Sequence, residues 1–275
     1  MIDPKLIDIE LEPAGHLSGG MDDRSFGIPF PDELLIPKSE WKDRITDLKD
    51  NDPFHVDGPH PQGCISANYI PKGHTYNQHP ESSCVLNATC AAIQTVRNMC
   101  LGVEHAIKLS PMWLYCQLAR SRHSGSYMWQ ALELTLKIGA LPSDLHADIF
   151  AATCHENTPF GWPSKLVEDG DTDTSRHFRP LEYLRIDDAT QFCSALLNQY
   201  PVVYGRSGHS ICARDLVYES RKYMARSLDS YGWDNRDGTG NIYDSERMLS
   251  TGGAWALRVV TLPDDPRRPA GDDGL

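Results

Sequence analysis

The sequence has no apolar run approaching the roughly 18–20 residues that a membrane-spanning helix requires. No membrane partner is therefore expected. It has no surplus of positive charge either: 26 Lys and Arg stand against 38 Asp and Glu, a formal net charge of −12. A protein that grips nucleic acid through a basic face needs the opposite balance, so no nucleic-acid partner is expected. The N-terminus MIDPKLIDIELEP carries acids where an export signal has a basic start and an apolar core. Synthesis in the cytoplasm is the corresponding expectation. No CxxC occurs among the eight cysteines at 64, 84, 90, 100, 116, 154, 193 and 212, which argues against a zinc knuckle. Their scatter through 275 residues is unlike a small disulfide scaffold, and most read as small buried hydrophobes. The one loose cluster of metal-type ligands, His146 with Cys154 and His155, lacks a second ordered pair. No metal or other cofactor is expected. No internal repeat is visible.

What is present divides into three parts. Residues 1–65 read as an acidic arm rich in Pro and Gly, 66–265 as the main domain, and 266–275 as a polar tail. The first 70 residues hold 14 acidic against 6 basic side chains, about two thirds of the net charge. This composition suggests a poorly ordered tail, or an arm lying across its own body or docking a protein partner. Its one short helical candidate is SEWKDRITDLKD, with Ser39 as cap. From Ser82 onward, CVLNATCAAIQTVRNMCLG has apolar or small residues at the spacing of a mostly buried helix. Ser82 or Ser83 is placed to cap it, and Gly102 to stop it. LSPMWLYCQLARSR predicts a second helix, with Ser110 capping and Pro111 in its first turn. SYMWQALELTLKIGA predicts a third, closed by Gly139, and DDATQFCSALLNQY a fourth. Residues 150–180 read as irregular. The text then turns to strands: PVVYGR, HSICARDLVY, KYMARSLDSYG and AWALRVVTL. Helices first and strands after give an α+β layout with segregated lobes.

The polar loop NQHPESSC runs straight into a helix at Cys84. A helix N-terminus carries partial positive charge and unused N–H groups, which favour a thiolate. A thiolate that attacks a carbonyl needs a base and donors for the oxyanion. Gln78, six residues upstream, offers a side-chain amide, and the Cys84 N–H a second donor. His209 in RSGHSICA opens a strand after a glycine, which suits a base at a sheet edge. Asp229 in RSLDSYGW ends the next strand, so a hairpin would carry it beside His209 as an orienting acceptor.

In this order the tracts NQHPESSCVLNATCA, LSPMWLYC, HSGSYMWQALELTLKIGALPSDLHAD, GHSICA and YMARSLDSYGW resemble the papain-like (C1) cysteine peptidases over roughly residues 66–262. The type resembled is the one encoded by bacteria and tailed phages. The resemblance implies a two-lobe fold, with the cysteine on a helical lobe and the histidine on an antiparallel β lobe. It implies hydrolysis of peptide bonds with Cys84 as nucleophile, His209 as base and acid, Gln78 as oxyanion donor and Asp229 as orienting group. Gly125 and Ser126 would pair with the backbone of a peptide or protein substrate, Tyr127 and Met128 would flank that edge, and Gly208 would lie beside it.

Several positions depart from the family. Asp229 stands for its usual asparagine, Tyr231 for a shielding tryptophan and Ser126 for a second glycine. Arg214 and Asp215 put charge into a strand that is usually apolar. The N-terminal 70 residues show no helical pro-segment pattern. These departures leave an alternative: a structural or assembly component of a particle such as a phage virion or tail, with weak or no activity and a virion location. Cys90 reads as core, Cys64 as a linker thiol, and Phe160 and Trp162 as packing over the joint between the lobes.

Overall fold

The structure, a computed structural model, describes residues 26–50, 76, 78, 82–102, 105–118, 124–145, 174–206, 208–219, 221–230, 241–244 and 253–260. Five helices are present among them: α1 (Trp41–Asp50), α2 (Cys84–Leu101), α3 (Pro111–Leu118), α4 (Met128–Ile138) and α5 (Ala189–Leu197). Seven strands, β1 (Ile28–Pro29), β2 (Pro180–Ile186), β3 (Val202–Arg206), β4 (His209–Glu219), β5 (Lys222–Leu228), β6 (Asn241–Asp244) and β7 (Ala254–Val260), form one open sheet. Its order is β1-β2-β7-β3-β4-β5-β6. Only β1 with β2 is parallel; the other pairs are antiparallel. The fold is therefore mixed α+β.

Strand alternation sends neighbouring side chains to opposite faces. On β3, Val203 joins a core with α2, α3 and α4, while Val202 and Tyr204 join a second core with α1 and α5. Both faces of the sheet are thus covered by helices. The first core centres on α2, whose residues Val85 to Asn98 are all buried. This accounts for a helix with apolar or small residues nearly all round, since it has no solvent face over most of its length.

Helix ends follow local chemistry. Ser110 Oγ accepts from Trp113 N at 3.1 Å and caps α3, as the spacing predicts. Asp188 caps α5, accepting from Gln191 N at 2.8 Å. Gly139 closes α4 at φ 78°, its N–H bonded to Thr135 O at 2.9 Å. The remaining helix starts differ from expectation. Ser39 lies inside a 3-10 turn, Lys38–Glu40, that leads into α1. Ser83 occupies the N-cap of α2, but its side chain does not cap. Three strands go unread in the sequence. β1, with 2 residues, is too short to be seen there. β2 carries register shifts at Pro180, Glu182 and Tyr183, which destroy the alternation that would announce it. β6 spans 4 residues and is too short to show a pattern.

The arm expected over residues 1–65 is described over 26–50, where it packs onto the second face of the sheet. Phe30, Ile36, Trp41 and Ile45 are buried in the core that contains Phe192, Leu196 and Tyr204. Burying a large apolar side chain is worth about 1.5–3 kcal/mol, so four of them reach roughly 6–12 kcal/mol. That is the size of a whole domain's net stability, about 5–15 kcal/mol. Trp41→Ala is therefore expected to lower unfolding free energy by about 3–5 kcal/mol in denaturant titration. Gly139→Ala is expected to destabilise by at least about 2 kcal/mol, or to prevent folding. An added Cβ there would lie 1.9 Å from the Ser175 carbonyl oxygen, at a φ that L residues rarely adopt. Thermal unfolding of the two variants checks both.

Candidate active site

Cys84 is the first residue of α2 and is half-buried. The preceding Ser83 hydroxyl, expected to bond a first-turn N–H, instead accepts from Asn87 Nδ2 at 2.9 Å. Asn87 Nδ2 also reaches Ser83 O at 2.9 Å. The side chain of Asn87 thus turns the serine away from the helix start, and the N–H groups around Cys84 are not taken by that hydroxyl. The other described cysteines, Cys90, Cys100, Cys116, Cys193 and Cys212, form no disulfide either. Burial pushes Cys90 far above the ordinary thiol range and Cys212 up to about 12. Both are inert core residues by that measure. Cys64 and Cys154 lie outside the described residues. Among those described, no group of three or more His, Cys, Asp and Glu could hold a metal ion; His146 and His155 lie outside them too.

His209 is the first residue of β4, following Gly208 at φ 81°. Its partner in the ladder is Arg206 across a tight connection, where a positive φ suits glycine. Asp229 immediately follows β5. The β4–β5 register, with Cys212 opposite Leu228, brings the end of one strand beside the start of the other. His209 Nε2 and Asp229 Oδ1 are then 2.8 Å apart, with 11% and 12% of their side chains exposed. Burial alone would push the imidazole down. The bond to Asp229 and the nearby Cys84 thiol outweigh it and raise His209 from 6.5 to about 9. With Nε2 taken by Asp229, Nδ1 is the ring nitrogen left for the Cys84 thiol. The nucleophile candidate on α2 and the base candidate on β4 therefore meet in space, 125 positions apart in sequence.

Gln78 joins the same group through a residue that the sequence reading passed over. Its backbone N donates to Ser230 O at 3.0 Å, and Ser230 Oγ donates to Gln78 Oε1. Holding the amide by its oxygen defines which end is the NH₂ donor. Asp229 and Ser230 are adjacent, so one turn after β5 orients the imidazole with one residue and the glutamine amide with the next. A small cavity lined by Asn87, Ala88, Leu228, Asp229 and Ser230 shows this turn lying against the first turns of α2. Serine in a turn is too common for Ser230 to have been singled out without that contact.

The remaining expected positions surround α4. Ser124 O accepts from Tyr115 Oη at 2.6 Å, which ties the start of Gly125–Tyr127 to α3. Ser126 is buried, Gly125 and Tyr127 are half-exposed, and Tyr127 stacks on Trp129 with ring centroids 6.3 Å apart. Met128 belongs to the core against which Cys84 packs. Gly208 is exposed. Tyr231, Phe160 and Trp162 lie outside the described residues. The unusual charges of β4 are placed: Arg214 sits at a bulge, and Asp215 faces Arg226 on β5 at 3.7 Å, all three buried.

No protein-family model matches the chain, and no curated protein matches it by sequence. Solved structures do match by shape. Xylellain, a cysteine protease from Xylella fastidiosa, is similar at TM-score 0.56 and 17% identity, over 91% of this chain and 99% of that one. Procathepsin L2 proteinase from the larval midgut of Tenebrio molitor gives 0.55 and 14%, over 90% and 78% of the two chains. A stem bromelain precursor gives 0.52 and 13%, over 90% and 77%. At such identities the likeness establishes the fold alone, and that fold is the papain-like one.

Proposed function

We propose that this chain is a papain-like cysteine peptidase that hydrolyses peptide bonds through a thioester on Cys84. The observation that carries the reading is the nearly buried His209 imidazole, bonded to Asp229 at 2.8 Å by Nε2 and close enough to Cys84 for the thiol to help hold the ring's pKa up. An imidazolium beside a thiol at a helix start favours the ion pair from which such chemistry begins. The shared fold with three proteases supports the same reading.

The Cys84 sulfur attacks the scissile carbonyl carbon, and the carbonyl π electrons move onto oxygen. The Gln78 NH₂ and the Cys84 N–H donate to that oxyanion. As the tetrahedral centre collapses, the C–N bond breaks and His209 gives its proton to the departing amine. Neutral His209 then takes a proton from water as the water attacks the thioester. The acid departs and the thiolate–imidazolium pair returns. Asp229 holds the ring throughout and stabilises its charged form. Gly125 and Ser126 pair with substrate backbone, with Tyr127 and Gly208 along the same cleft. The half-exposed, stacked Tyr127 suits a contact with an apolar substrate side chain.

Cys84→Ser is expected to abolish the single adduct that an epoxysuccinyl thiol-protease inhibitor leaves on the native chain, read by intact mass and peptide mapping. A native chain that folds and takes no adduct would sink the proposal. His209→Ala is expected to lower kcat/KM by about 10²–10⁴-fold, and Asp229→Ala by less. The reverse order would show that Asp229 is not an orienting group. The same pair also makes stability depend on pH. The folded value of His209, about 9, lies above its ordinary 6.5, so its stabilisation is complete below pH 6.5 and is lost as pH rises through 9. The loss is on the order of 3 kcal/mol. Thermal unfolding from pH 6 to 10, compared with His209→Gln, checks it: the variant should lack this decline.

A further inference from the structure

We infer that residues 26–50 are a permanent part of the folded protein, and that any cut which trims this chain spares them. Their apolar side chains do not rest on a finished surface. Phe30, Ile36, Trp41 and Ile45 share one buried cluster with Phe192 and Leu196 of α5 and with Tyr204 and Leu216 of the sheet. Lifting the segment away would open that core to water.

Polar groups are interlocked in the same way. Ser194 Oγ, buried in α5, accepts from Ile36 N at 2.9 Å. Asn198 Nδ2 donates to Leu34 O at 2.8 Å, and Trp41 Nε1 to Ile36 O at 2.7 Å. On the other side of the sheet, Trp255 Nε1 donates to Phe26 O at 2.9 Å, and Trp255 is 1% exposed. Removal would strand a buried indole N–H, a state that folded proteins avoid.

The segment also grips the hairpin that carries the candidate base. Trp41 meets Tyr223 edge-on at 4.9 Å between centroids, and Lys42 Nζ lies 4.1 Å from the centre of the Tyr218 ring. Tyr218 and Tyr223 pair with each other at the turn end of β4 and β5. His209 and Asp229 stand at the opposite end of those strands. The segment therefore braces the hairpin at the end away from His209 and Asp229.

The rival is a leader strapped onto the body and later discarded; limited proteolysis of the full chain separates the two. The native protein is incubated alone and with a trace of subtilisin. Surviving folded species are isolated by size and read by intact mass, N-terminal sequence and alkylation of Cys84. Survivors are expected to keep residues 26–50, in the chain or as a co-eluting fragment. Trp41→Ala is expected to be digested at least about tenfold faster than the native chain. A folded species that lacks 26–50, is still alkylated at Cys84 and melts with the full chain would overturn the inference. So would digestion of Trp41→Ala at the native rate. The inference uses the peptidase reading only for self-processing. If the chain never cuts itself or any substrate, that reading fails, and the subtilisin experiment still decides whether the segment is permanent.

Discussion

The 2.8 Å bond between His209 and Asp229 lies almost out of water, and it exists because β4 and β5 run antiparallel with Cys212 opposite Leu228. A shift of that register by one residue would send every side chain of the strand to the other face. The pair would then be lost, along with the approach of the imidazole to Cys84. Much of the rest of the fold can be understood as what holds this register. α2 packs across β4 from one face, and α1 and α5 cover the other. The buried Asp215–Arg226 contact adds a polar lock across the same two strands. Paired charges buried in this way contribute little net stability against an apolar alternative. Removing one partner, however, leaves an uncompensated charge and costs about 3–5 kcal/mol. Their contribution is to specify which residues face one another.

The bulge at Arg214 belongs to the same logic. It lies between Ala213 and Asp215, where the ladder with β5 gains a residue. A bulge bends and twists the strand that carries it. Here that strand begins at His209 and ends beside the tyrosines that meet α1. One hairpin thus connects the candidate site at one end to the N-terminal segment at the other. Both sheet faces around it are closed by helices, so the hairpin has little room to slide.

The turn after β5 concentrates two roles in two residues. Asp229 orients a ring, and Ser230 orients an amide. In the proposed mechanism these are the proton carrier and an oxyanion donor, the two groups whose placement decides how much charge the site can stabilise. Both depend on backbone geometry of the same turn, which in turn lies against α2. The nucleophile and the donor, six residues apart, and the base, 125 residues after the nucleophile, therefore share one anchor.

How much of this was legible beforehand depends on the range of the interaction concerned. Local patterns sufficed for α2, α3, α4 and α5, for the strands with clean alternation, and for the cap at Ser110, because each is decided within a few residues. They also nominated Cys84, His209, Asp229 and Gln78 as candidates, since a thiol at a helix start and a histidine opening a strand are local features, while their order along the chain made them a set. The tertiary structure decided what those residues touch. Only strand register could put Asp229 on His209 Nε2. Only the turn after β5 could make Ser230 a partner of Gln78, and only the Asn87 amide could take the Ser83 hydroxyl from its expected capping bond. β2 stayed hidden because its register shifts erase the two-residue period. The buried side of residues 26–50 stayed hidden because its apolar residues are spaced by turns that only the facing core of α5 and the sheet gives a common direction.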